Sequence, residues 1–106
     1  MNRKLLALVL VSLALPVAAG SGEAEVGKKK SAPCAACHGP NGVSVGPEFP
    51  NLAGQYEDYL EKALHHYKNG KRKNPIMQGQ VANLTDKDMA DLAAFFASQG
   101  ALQVKH

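Results

Sequence analysis

No stretch of this sequence is apolar for the roughly 20 residues that a membrane span needs. The longest candidate, Leu5 to Ala19, is apolar at 13 of its 15 positions, follows Arg3 and Lys4, and ends in the small residues Val17, Ala18 and Ala19. A basic start, a short apolar stretch and a Val-x-Ala end predict a secretory signal peptide over residues 1–19, cleaved after Ala19. An uncleaved anchor is the alternative. Residues 20–106 then form one domain, too small for a multidomain enzyme, exported and without a membrane span.

Large apolar side chains are scarce in that domain. Of the 87 residues after Ala19, 34 are apolar, but 12 of these are alanine and two are cysteine, which leaves 20. A domain of this size is marginal on its own core, so a cofactor, metal, disulfide or partner is expected to help hold it. An excess of one charge is also lacking. Arg3 and Lys4 leave with the leader, and the ten remaining basic residues face nine acidic ones. That near balance excludes strong global attraction to nucleic acid. Sustained period-two alternation and internal repeats are absent too, which excludes a sheet and a solenoid.

Helical signals fill the space. Gln55 to Asn69 places Tyr56, Tyr59, Leu60, Ala63, Leu64 and Tyr67 at three- and four-residue steps before Gly70. A second helix starts at Thr85 as N-cap, with Asp86 and Asp88 in its first turn, and carries Met89, Leu92, Ala93 and Phe96 on one face up to Gly100. From Gly20 to Ala32 the chain reads as a tail entering a short helix, and Pro33 can open a new turn but cannot extend one. Four glycines and three prolines between Gly39 and Gly54 mark an ordered loop. The expected fold is all-α, three to five helices with long loops.

The chemistry lies in Cys34, Ala35, Ala36, Cys37 and His38. One helical turn puts positions i, i+3 and i+4 on one side, so two thiols and an imidazole face a single object. This spacing is that of covalent c-type haem attachment, in which two thioether bonds fix the porphyrin edge while the imidazole reaches the iron. A thioredoxin-like redox pair would need a βαβ context, and zinc would need a fourth ligand at metal-like spacing. One covalent haem c is therefore expected, with His38 as one axial ligand.

The second axial position has several candidates. Met89 belongs to an apolar helical stripe and is better explained as core. His65 and His66 are about 100° apart on the middle helix, so at most one points inward, and His106 is terminal. Met77 follows Asn74 and Pro75 in an expected loop with no stripe to account for it, and is the predicted ligand. A thioether there raises the potential relative to two imidazoles and closes the site to substrates.

With CAACHG, FPNLAGQ, NPIMQGQ and DLAAFFASQG, the span from Gly27 to Gln99 resembles the small bacterial class I cytochromes c, in particular single-haem relatives of periplasmic cytochromes that also occur as two-haem tandems. The resemblance implies a periplasmic electron carrier rather than an enzyme, exchanging one electron with redox partners such as a donor protein and a terminal oxidase or reductase. It makes Cys34 and Cys37 the thioether positions, His38 the proximal and Met77 the distal ligand, and Pro50 the carbonyl that accepts the imidazole Nδ1 proton. Leu52 would pack on the haem. Gly27 would let the first helix cross the last at Leu92 and Phe95.

Lys28, Lys29 and Lys30 depart from the family pattern, since three consecutive lysines cannot all avoid the inner face of a helix. A short or displaced first helix, or snorkelling, is expected. Lys68, Lys71, Arg72 and Lys73 form a basic cluster before Met77. It reads as a solvated face, as neutralisation of haem propionates by Arg72 or Lys71 with Asn74, or as a docking patch; the salt dependence of partner reduction separates the last two. Two other functions remain open: a cytochrome subunit of a periplasmic dehydrogenase, accepting electrons from a flavin or other cofactor on another chain, and a sensor or catalytic haem with a labile distal site.

Overall fold

The computed structural model describes residues 22–100. The expected leader and His106 lie outside the described residues. Five helices follow one another: α1 (Ala24–Lys30), α2 (Ala32–His38), α3 (Glu57–Lys68), α4 (Pro75–Val81) and α5 (Asp86–Ala97), with no strand among the described residues. No helix there is long and apolar enough to cross a membrane.

The last helix is the organising element. Thr85 Oγ1 accepts the Asp88 backbone N–H at 3.0 Å while the Asp88 carboxylate accepts the Thr85 N–H at 2.9 Å, a reciprocal cap that starts α5 where Thr85 stands in the sequence. Its residues from Met89 to Phe96 are all buried. Leu92, Ala93, Phe95 and Phe96 form the core with Leu60 of α3. The helix ends at Ala97, three residues before Gly100, because Ser98 already closes it with its N–H on Ala94 and Phe95 carbonyls.

The crossing of α1 over α5 depends on Gly27. A Cβ built there would overlap the Asp91 carbonyl and come within 2.9 Å of Phe95 Cβ, so only hydrogen fits. The expected neighbour Phe95 is present, with the Asp91 backbone as the closest contact. Gly27→Ala is expected to destabilise the protein by about 3 kcal/mol, the upper range for overpacking. Chemical denaturation would show this as a lower midpoint, and an unchanged midpoint would remove Gly27 from its place at the crossing.

The lysine run is accommodated by a break. Helix α1 is only seven residues long, and α2 begins after Ser31, whose hydroxyl donates to the Lys28 carbonyl at 2.8 Å. Pro33 has no N–H to continue α1 and sits in the first turn of α2. Lys28 and Lys29 are exposed. Lys30 is half-buried and ion-pairs with Asp88 at 2.7 Å and Asp91 at 2.8 Å.

The loop from residue 39 to 56 is pinned at several points. Gly39 and Gly42 have φ of 83° and 85°, a region that side chains rarely enter. The Gly42 carbonyl accepts the N–H groups of Leu52 and Ala53 at 2.7 and 3.1 Å, Val45 N–H donates to the Cys37 carbonyl at 3.1 Å, and Gly54 N–H donates to the Phe96 carbonyl at 3.1 Å. These bonds fold the loop back onto α2 and α5 and fix where Pro50 lies.

Candidate cofactor site

Helix α2 carries Cys34, Cys37 and His38 in its last turns. Both cysteines are half-buried free thiols, and burial pushes the Cys34 thiol up from its ordinary pKa. His38 is buried, and its Nδ1 lies 2.8 Å from the Pro50 carbonyl oxygen. A carbonyl can only accept, so Nδ1 carries the proton, and in the neutral imidazole the lone pair then lies on Nε2. The Phe49 ring stands edge-on to the imidazole at 6.5 Å between centroids. Pro50 is thus placed as the acceptor that fixes the orientation of His38.

These groups open onto one cavity of about 500 Å³. Cys34, Cys37 and His38 line it, as do Met77, Pro50, Leu52, Tyr59 and Leu64. Buried Leu60, Leu92 and Phe96 close its floor. The middle helix turns Tyr59, Leu60, Ala63, Leu64 and Tyr67 toward the cavity, whereas Tyr56, counted in the same stripe from the sequence, is the exposed N-cap.

Met77 is not in a loop. It lies in the first turn of α4, because Pro75 supplies a preset φ at the helix start and Asn74 Oδ1 accepts the Met77 N–H at 3.0 Å. The short helix was hidden in the sequence by Asn74 and Pro75, which read as loop residues. Met77 remains the cavity's methionine, since Met89 is fully buried in α5 and does not reach it. His65 and His66 do not reach it either. They face a separate surface with Asp58 and Glu61, where His65 lies 3.9 Å from both Glu61 and Asp86 carboxylate oxygens. Among the described residues no three His, Cys, Asp or Glu side chains gather as a metal-binding group.

The basic cluster divides. Lys68 Nζ donates to the Leu84 carbonyl, tying α3 to the start of α5. Lys71 and Lys73 are exposed and do not line the cavity. Arg72 does line it. Its Nη1 donates to the Tyr59 hydroxyl at 3.1 Å, and its guanidinium carbon lies 5.9 Å from the Tyr59 ring centroid and 5.0 Å from that of Tyr67. The sequence pointed to Arg72 but not to the tyrosine pair, although Tyr59 and Tyr67, eight residues apart on one helix, share a face.

A second ionic feature was missed outright. Asp91 has no exposed surface and accepts from Lys30, Lys87 at 2.6 Å and the Glu23 backbone N–H at 2.8 Å. The residues around the cavity suit a covalent haem: two unpaired thiols and an oriented imidazole on one turn, an apolar lining and a thioether on another wall.

Known proteins agree with this geometry. Residues 24–100 match the cytochrome c family. Cytochrome c4 of Pseudomonas aeruginosa is 48% identical over 99 residues, 93% of this chain and 49% of that protein. The crystal structure of reduced recombinant cytochrome c4 from Pseudomonas stutzeri superposes with a TM-score of 0.72 and 45% identity over 76% of this chain and 47% of its own. A thiosulfate dehydrogenase from Marichromatium purpuratum gives 0.71 at 30% identity over 89% of this chain and 22% of its own. The chain spans about half the length of the cytochrome c4 proteins it matches. It belongs to the cytochrome c family, whose covalent haem c the Cys34, Cys37 and His38 turn fits.

Proposed function

We propose that this chain is a one-electron carrier with His38 and Met77 as the axial ligands of its haem and no substrate of its own. The observation that carries the reading is the buried imidazole: His38 gives its Nδ1 proton to Pro50 and keeps Nε2 for the iron, on a cavity that Met77 also lines. A bound haem supplies the Fe(III)/Fe(II) couple. Cys34 and Cys37 would hold its edge through thioethers, from the same helix α2 that carries His38. Pro50 keeps the imidazole from rotating. Leu52, Leu60, Leu92 and Phe96 line the cavity with apolar surface that would exclude water from a bound haem.

Residues 1–19 act as the export signal, and the mature domain works in the periplasm, where it passes electrons between a donor and an acceptor such as an oxidase or reductase. The likeness to the thiosulfate dehydrogenase favours a second role, receiving electrons from a dehydrogenase as its cytochrome subunit. The test is an absorption spectrum of periplasmic protein, oxidised, reduced and with carbon monoxide, before and after acid-acetone extraction. Retained haem, a low-spin six-coordinate spectrum and no carbon monoxide shift are expected. Extractable haem would overturn the attachment, and ready carbon monoxide binding would turn the carrier into a sensor or enzyme. Size exclusion of native extract separates a free carrier from a dehydrogenase subunit.

A further inference from the structure

The turn that carries Met77 is held by hydrogen bonds of its own, with little burial to help. Helix α4 has seven residues, too few to be stable alone in water. Its buried residue is Val81, at the end away from Met77, while Pro75 is exposed and Ile76 is 65% exposed. Three bonds close the first turn instead. Asn74 Oδ1 accepts the Met77 N–H at 3.0 Å, the Asn74 carbonyl accepts the Gln78 N–H at 2.8 Å, and Gln78 Oε1 accepts the Asn74 N–H at 3.1 Å. The last bond does the work of a capping box, in which a Glu or Gln at the third helical position reaches back to the N-cap N–H. In α4 the third position is Met77, and Gln78, one residue later, reaches back in its place.

Gln78 does not line the cavity, whereas Asn74 and Met77 do, so its influence on the site passes through the backbone of this turn. We infer that Gln78 is a positioning residue for Met77: by binding the Asn74 N–H it keeps the first turn of α4 closed and slows departure of the thioether from the distal position. This rests on the reading of Met77 as the axial ligand. Without the Gln78 acceptor, the Asn74 N–H turns to water, and Asn74 is free to leave the extended conformation, φ −162° and ψ 107°, from which its side chain caps Met77. Asn74 and Gln78 thus form one clasp, and the thioether leaves when it opens. Val81, 1% exposed, keeps the far end of the helix seated, so the opening is local.

Stopped-flow binding of imidazole to the ferric holoprotein and its variants tests this. Imidazole enters the distal position only after the thioether leaves, so the observed rate levels off at high imidazole at the rate of Met77 departure. Gln78→Leu keeps most of the bulk without the oxygen, and is expected to raise that plateau about three- to tenfold, the worth of one neutral hydrogen bond. Gln78→Glu keeps the acceptor and should return the plateau to the wild-type rate. Asp91→Asn, which acts where α1 meets α5, should leave it unchanged. A wild-type plateau in Gln78→Leu overturns the inference while Met77 ligation stands. A plateau in Gln78→Glu as fast as in Gln78→Leu overturns it too, by removing the acceptor from the cause, and an equal rise in Asp91→Asn does so by assigning the effect to overall stability. Should Gln78→Leu not take up haem, amide hydrogen exchange of the wild-type holoprotein decides: a protected Asn74 N–H is expected, and exchange at the rate of a free amide overturns the inference. Met77→Ala should bind imidazole with no plateau; a plateau retained there overturns the Met77 reading and the inference with it.

Discussion

Met77→Ala is expected to convert a protein that excludes carbon monoxide into one that binds it when reduced, with the haem still attached. Attachment and closure depend on different elements. The thioether positions and His38 belong to α2, whereas Met77 belongs to α4, held by Asn74 and packed on α3. Alanine is a better helix former than methionine, so α4 keeps its backbone. What is lost is the thioether on the cavity wall, and no other methionine among the described residues lines that space. The same substitution should lower the midpoint potential by on the order of 0.1–0.3 V, a fraction of the ~0.8 V that axial ligands span, because a soft thioether favours ferrous iron. Carbon monoxide difference spectra and potentiometry measure the two effects. A variant that still excludes carbon monoxide at an unchanged potential would show that another residue fills the position.

How far the sequence carried this site depended on the range of the signal. Cys34, Cys37 and His38 were legible because a five-residue spacing is local and one helical turn decides its geometry. The same holds for α5, whose start was marked by Thr85 and Asp88 three residues apart. Helix α4 was not legible, because Pro75 after Asn74 points to a loop and only the Asn74 cap makes the turn close. Lys30 and Asp91 were still less so. Asp91 stands among alanines and phenylalanines that pack inward, and nothing within α5 shows that a carboxylate there meets a lysine 61 residues earlier. The run of three lysines did announce that one of them faces inward. Which one, and toward what, required the crossing of α1 over α5.

That buried carboxylate sets the acid stability expected of the domain. Burial alone pushes the Asp91 pKa up, and the hydrogen bonds from Lys30, Lys87 and the Glu23 N–H outweigh it, holding the group at about 2 rather than 3.8. A depressed carboxyl contributes its stability above the unfolded pKa and loses it as pH falls toward the folded one, so the contribution is complete above about pH 4 and fades toward pH 2. Asp91→Asn should remove it at neutral pH. Both lysine side chains keep contact with water, 30% exposed for Lys30 and 57% for Lys87, so neither is stranded when the carboxylate goes. The expected loss is therefore about 2 kcal/mol, the range of a hydrogen bond to a charged group, rather than that of a fully buried broken pair. Because Asp91 joins Glu23 and Lys30 to α5, the loss falls on the docking of α1 and leaves the haem-bearing turn of α2 in place. Denaturant midpoints at pH 7, 4 and 2.5 test this: wild type and Asp91→Asn should differ most at pH 7 and converge at pH 2.5. A constant difference across that range would assign the effect of the substitution to shape rather than charge.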